Sequence, residues 1–318
     1  MTDRREHTPP TGIDGDPAAG PAHGFTGAAA SRRLVAEGLL ADVASLTKLR
    51  LTATVVLSAA LAYLIAAESF EGGVFAAVCV GGFAVTMAAN ALNQVLERDF
   101  DPLMERTADR PVAAGRMTVS TAVLVAGLLS IAGTVALATV GPLAALLGMI
   151  ALLSYAFVYT PLKRYSVAAV FVGTVPGAIP AMIGTVAAEG ILTQLGWSLF
   201  AIQVVWQIPH FWAIGWLGFD DYRRAGFRLL PVDEAGDRDP GTGLQALACG
   251  LLLAGLVWLP YVYGAFSVGA ASLSTALGLA YGFYGWRLYT RRDRPSALRL
   301  MFFSLAYLPL VFAVGWLV

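Results

Sequence analysis

Charge is scarce in this chain: of 318 residues, 13% are Asp, Glu, Lys or Arg, against 57% hydrophobic. A soluble domain carries about a quarter charged residues, so that balance excludes one. Cysteine is scarcer still. Cys79 and Cys249 both lie in apolar stretches, so no disulfide framework or metal-ligand spacing can be read from them. The N-terminus lacks the basic segment and apolar core of a signal peptide, and Asp3, Glu6, Asp14 and Asp16 argue against an organellar transit peptide. Residues 1–33 read as a disordered cytoplasmic arm rich in Pro, Gly and Ala, followed by a membrane domain over 34–318.

Long apolar runs are abundant. A bilayer core about 30 Å thick needs roughly 20 apolar residues per spanning helix. The sequence supplies such runs near 49–67, 74–95, 119–139, 143–158, 167–187, 196–217, 243–263, 268–287 and 300–318, the fourth being short. The expected fold is all-α, a polytopic bundle of about nine transmembrane helices.

Basic residues are missing from every second connection. Those near Glu68–Gly73, Val140–Gly141, Ala188–Leu195 and Gly264–Ser267 contain no Lys or Arg, and all 21 basic residues fall on the opposite side. The positive-inside rule makes that side cytoplasmic, with the N-terminus inside. Residues 34–48 space apolar side chains as an amphipathic helix would, either on that interface or as an extension of the first span.

Three oxygen-bearing side chains end the second span. Asn93, Glu97 and Asp101 stand at i, i+4 and i+8, which places them on one helix face. Pro102 disfavours helical geometry at Asp101, so the acidic end lies near a helix C-terminus, where the dipole disfavours carboxylates and a cation should offset them. Carboxylate and amide oxygens suit Mg²⁺, which is commonly held by one or two carboxylates plus substrate phosphate oxygens. Arg106, Arg110 and Arg116 follow, and guanidinium groups suit phosphate. The competing reading is a solvated loop whose acids and bases pair with one another.

Tyr159 and Lys163 in YTPLKR emerge on the same side, as topology anchors or as parts of a diphosphate site. In the sixth span, WQIPHFWAIGWLGFDDYRRAG, Gln207 and His210 are polar groups in an apolar stretch, which usually face a bundle interior. Trp206, Phe211, Trp212 and Trp216 suit a flat aromatic substrate or ordinary packing. Asp220 and Asp221 follow about three helical turns later, to hold a second cation or to solvate the loop.

At these residues the sequence resembles the UbiA superfamily of intramembrane prenyltransferases, and within it the heme O synthases. The resemblance runs from about residue 35 to the end. Asn93-x-x-x-Glu97-x-x-x-Asp101, continuing as MERTADRP, carries the superfamily likeness, with YTPLKR and VGTVPGAIPAMIG beside it. The stretch from WQ-x-PHF to DY-x-x-AG points to heme O synthases.

The resemblance implies helices around a central cavity capped by cytoplasmic loops, in a bacterial inner membrane. It implies Mg²⁺-dependent transfer of a farnesyl group from farnesyl diphosphate to a vinyl group of heme B, with water added. Asn93, Glu97 and Asp101 would hold Mg²⁺-diphosphate, with Arg106, Arg110, Tyr159 and Lys163 around it. Trp206, Gln207 and His210 would meet heme, and Asp220 and Asp221 a second metal. A heme A synthase or terminal oxidase assembly would be a downstream partner, and no nucleic acid partner is expected. Two departures stand out. Many superfamily members carry regularly spaced aspartates on the sixth helix where this chain has His210, so His210 would contact heme or its iron, or replace a carboxylate in a second metal site. Glu97 stands where Asp is commoner, which keeps the charge and adds one methylene. The remaining alternatives are a UbiA-type enzyme with another acceptor, a transporter marked by Gly173, Pro176, Gly177 and Pro180, and a non-catalytic heme-handling subunit.

Overall fold

The structure, a computed structural model, describes residues 38–318. The expected N-terminal arm and the first residues of the interfacial helix lie outside them. A short helix, α1 (Gly38–Thr47), leads into the first long one. The long helices are α2 (Leu49–Ala66), α3 (Gly72–Glu97), α4 (Val119–Ala138), α5 (Pro142–Leu162), α6 (Ala169–Glu189), α7 (Gln194–Leu217), α9 (Gly241–Val262), α10 (Val268–Arg291) and α11 (Arg294–Leu317). A short α8 (Phe219–Arg224) follows α7. Seven of the long helices are long and apolar enough to cross a membrane. The other two, α7 and α10, have 24 residues each but carry more polar side chains, among them Gln203, Gln207 and His210 on α7.

Helices are the required solution here, because a bilayer offers backbone groups no water and each segment must satisfy itself. Where the turns emerge, side chains cap the exposed amides. Thr118 accepts from Thr121 N at 3.1 Å, Thr193 from Gly196 N at 3.2 Å, Ser267 from Ala270 N at 3.0 Å and Asp293 from Ser296 N at 2.9 Å, opening α4, α7, α10 and α11. That last cap lets α11 begin six residues before the apolar run at 300. The fourth span is also longer than its apolar run. Its α-helical part, Pro142–Leu153, passes through a π-helical turn, Ser154–Tyr159, into Thr160–Leu162.

Lipid tails are as apolar as leucine, so helices associate in a membrane through close packing of small residues. Glycines line the seam between α9 and α10: a side chain at Gly250 would strike the backbone of Gly282, and one at Gly285 the backbone of Leu247. The outward faces keep large apolar residues, among them Leu124, Ile131 and Phe302, exposed for lipid. Pro176 and Pro180 lie inside α6, which stays helical throughout. This is not the broken helix expected of a mid-membrane transporter site. Gly173 and Gly177 act instead as notches, since a side chain at either would strike the Tyr159 ring or Gln207.

Candidate active site

The C-terminal turns of α3 present a polar face in an otherwise apolar helix. Asn90 reaches Thr52 Oγ1 at 3.3 Å, and Gln94 donates to the carbonyls of Ser45 and Leu46 at 2.9 and 3.1 Å. These bonds hold the joint between α1 and α2. Lys48 occupies that joint in the left-handed region, φ 49° and ψ 56°, a conformation that non-glycine residues seldom adopt. The break turns its side chain toward α3, where Nζ donates to Asn93 Oδ1 at 3.0 Å.

Asn93, Glu97 and Asp101 are 1%, 4% and 0% exposed. α3 ends at Glu97, and Asp101 opens a 3-10 turn, Asp101–Leu103, carrying Pro102 near its start. Arg110 bridges the two carboxylates, donating to Asp101 Oδ1 and Oδ2 at 2.7 and 2.8 Å and reaching Glu97 Oε2 at 3.4 Å. From the far end of α5, Lys163 pairs with Glu97 Oε1. Thr160 Oγ1 accepts from Asn93 Nδ2 at 3.2 Å. Burial raises the Asp101 carboxyl above its ordinary value, against the opposing pull of Arg110. Burial, and next the Arg110 charge, lower the Lys48 ammonium to about 7.

These contacts bring the start of α2 and the ends of α3 and α5 to one end of the bundle. Arg106 adds α8, donating to Tyr222 Oη at 3.1 Å. Behind this polar cluster lies a cavity of about 450 Å³. Lys48, Asn93, Glu97, Arg106, Arg110, Tyr159 and Lys163 line its mouth region, and Trp206, Gln207, His210 and Phe211 line its wall on α7.

The remaining sequence candidates separate. Arg116 pairs with Asp42 at 2.9 Å and Asp109 at 2.6 Å and does not line the cavity. Asp220 is held by Arg238 at 2.8 Å and Asp221 pairs with Arg224, and neither lines the cavity. Trp212 is fully buried packing, and Trp216 gives its carbonyl to Arg238 Nε at 3.1 Å. Lys48 and Tyr222 are additions. A lysine beside a first span reads as an anchor, and Tyr222 stands in a charged stretch where aspartates draw the eye. Burial pushes the Tyr222 phenol up, and Arg106 beside it opposes the shift.

Two carboxylates and one amide form a hard-oxygen set that fits Mg²⁺. Among the described residues, no three His, Cys, Asp or Glu side chains gather as they would around a resident ion.

A bundle of membrane-length helices around a cavity with an apolar body and a mouth of carboxylate, amide, ammonium and guanidinium groups is the architecture of an intramembrane enzyme. The chain belongs to the UbiA prenyltransferase family, whose model matches residues 55–306. It is 42% identical over 271 residues to a protoheme IX farnesyltransferase of Cytophaga hutchinsonii, covering 84% of this chain and 93% of that protein. It is 40% identical over 290 residues to one of Flavobacterium johnsoniae, covering 89% and 96%. Among solved structures, a UbiA homologue from Aeropyrum pernix superposes with TM-score 0.68 at 20% identity, covering 84% of this chain and 97% of that one. A homologue from Archaeoglobus fulgidus bound to GPP and Mg²⁺ superposes with TM-score 0.60 at 16% identity, covering 86% and 99%.

Proposed function

We propose that this prenyltransferase moves a farnesyl group from farnesyl diphosphate to a vinyl group of heme B; its relatives are named protoheme IX farnesyltransferases. The observation that carries the reading is the buried Asn93–Glu97–Asp101 set, ringed by Lys48, Arg110 and Lys163 at the mouth of an apolar cavity whose wall holds Trp206 and His210.

Asn93, Glu97 and Asp101 would hold Mg²⁺, which when bound neutralises charge on diphosphate oxygens. Arg106, Arg110 and Lys163 supply positive charge where negative charge grows on the departing diphosphate, and Lys48, its ammonium lowered to about 7 by burial, is drawn to its charged form by an anion placed beside it; such preorganised electrostatics usually dominates catalysis. The farnesyl C–O bond breaks, leaving an allylic cation. Aromatic faces such as Tyr159 and Phe211 exclude water and favour the cation. The vinyl π electrons form the new C–C bond. Water then adds to the resulting cation and loses a proton, giving the hydroxyethylfarnesyl side chain. Trp206, Gln207 and His210 are the proposed heme contacts. Both carboxylate sets are paired with bases, Asp220 and Asp221 with Arg238 and Arg224 and Glu97 and Asp101 with Lys163 and Arg110; the metal reading rests on the first set because Asn93 and Glu97 line the cavity and Asp220 and Asp221 do not.

The basic end of the bundle is read as cytoplasmic, in a bacterial plasma membrane, which supplies water-soluble Mg²⁺ to the mouth. Membranes incubated with farnesyl diphosphate, heme B and Mg²⁺ should yield heme O, detected by mass. Glu97→Ala and Asp101→Ala should abolish it while the protein still inserts. Heme O production retained in either variant overturns the assignment.

A further inference from the structure

His210 lines the cavity on the same helix as Gln203 and Gln207, and its chemistry depends on which ring nitrogen carries the proton. Its Nδ1 lies 2.8 Å from Ser304 Oγ, across the interface between α7 and α11. Ser304 is fully buried and stands behind the wall, not in the cavity lining. Its hydroxyl has a single proton, and Oγ lies 2.6 Å from the Met301 carbonyl oxygen, one helical turn earlier. A carbonyl can only accept, so at that separation the Ser304 proton is committed to Met301. Toward His210, Ser304 therefore offers only a lone pair. The contact is a hydrogen bond only if His210 Nδ1 donates, and a neutral imidazole with Nδ1 protonated has a bare Nε2.

The neighbours hold the ring in that pose. Trp206 stacks on the imidazole with centroids 5.4 Å apart and planes inclined by 16°. Its indole Nε1 donates to the Ser304 carbonyl at 2.7 Å, and Tyr281 Oη donates to the Trp206 carbonyl at 3.1 Å. The same serine thus anchors both rings, one through its hydroxyl and one through its backbone. Nδ1 is turned to Ser304 on α11, the ring lines the cavity, and Nε2 has no hydrogen-bond partner among the described residues.

We infer that Ser304 is a positioning residue: its hydroxyl fixes the Nδ1–H tautomer of His210 and presents the Nε2 lone pair to the cavity as a ligand for the iron of a porphyrin acceptor. This rests on the heme reading above and deepens it. Outer partners of metal-ligating histidines act in this way, fixing tautomer and ring orientation.

The tautomer can be measured without heme. His7 and His23 are the only other histidines, so a His7→Gln, His23→Gln background leaves His210 alone to report in ¹⁵N-histidine-labelled protein. At a pH where the ring is neutral, the ¹⁵N spectrum should show a protonated Nδ1 and an unprotonated Nε2. Ser304→Ala should move both nitrogens toward the averaged values of a tautomer mixture, and Ser304→Thr, which keeps the hydroxyl, should restore the split. A protonated Nε2 in the background protein overturns the inference without any Ser304 variant. So does a Ser304→Ala spectrum identical to the parent.

Titration with ferric heme B then reads the second half. Ser304→Ala should weaken binding by about tenfold or more, the usual loss when such an outer partner is removed, and His210→Ala should remove the imidazole-ligated Soret band. If the tautomer is as expected but heme does not bind the parent protein at all, the acceptor reading fails and the serine–histidine geometry stands. If heme binds and its spectrum ignores His210→Ala, the iron-ligand role is overturned.

Discussion

Lys48 Nζ donates to Asn93 Oδ1 over 3.0 Å, joining the joint before the first long helix to the first of the three oxygen-bearing residues on α3. An ammonium held there lies beside the proposed diphosphate position and can pass from the amide to a phosphate oxygen. A hydrogen bond to a charged group contributes about 1.5–3 kcal/mol, so Lys48→Met should lower kcat/KM for the prenyl diphosphate by about 10- to 100-fold. Steady-state kinetics at fixed heme should place the loss on the diphosphate substrate. An unchanged kcat/KM would return Lys48 to the role of a topology anchor.

Two arginines six residues apart should behave oppositely. Arg110 bridges Glu97 and Asp101 in a buried site, and removing one partner of a buried ion pair costs about 3–5 kcal/mol. Arg110→Met should therefore lower the thermal midpoint in detergent and abolish turnover. Arg116 pairs with Asp42 and Asp109 at the surface, and Arg116→Gln should keep activity within about twofold, as loss of an exposed pair does. Equal damage from both would place Arg116 in the site.

The notches on α6 make a third test. Replacing a helical glycine by alanine ordinarily gains about 0.5–1 kcal/mol. At Gly173 the new methyl would meet the Tyr159 ring, and at Gly177 the Gln207 amide, and such overpacking costs about 1–3 kcal/mol. The second effect should win. Gly173→Ala and Gly177→Ala should both melt lower than the parent and both show reduced kcat, because the displaced side chains line the cavity. A raised melting point in either would mean that its neighbour gives way freely.

The spans were legible because a bilayer sets a length that apolar runs must meet, and nearly every boundary fell within a few residues of its run. The spacing of Asn93, Glu97 and Asp101 told that they share a face, since helical periodicity alone decides it. What decides between Arg110 and Arg116 is the path of the turn from Met104 to Met117, which periodicity does not describe. Lys48 was hidden because its approach to Asn93 depends on a left-handed residue with no glycine to announce it. Ser304 was hidden in a different way, as one small hydroxyl in an apolar span. Only the packing of α11 against α7 gives that hydroxyl a histidine to hold.

The π-helical turn at Ser154–Tyr159 has a consequence for how this segment can vary. Each residue advances an α-helix by about 100°, and a π turn accommodates one more residue than the regular helix would. Deleting a single residue there would let the turn relax to an ordinary helix while the segments on either side keep their faces, so Lys163 would stay beside Glu97. The same deletion in the regular helix before it, Pro142–Leu153, has no spare residue to give up and would rotate everything that follows by about 100°. The π turn is thus the one stretch of this span that should tolerate a change of length.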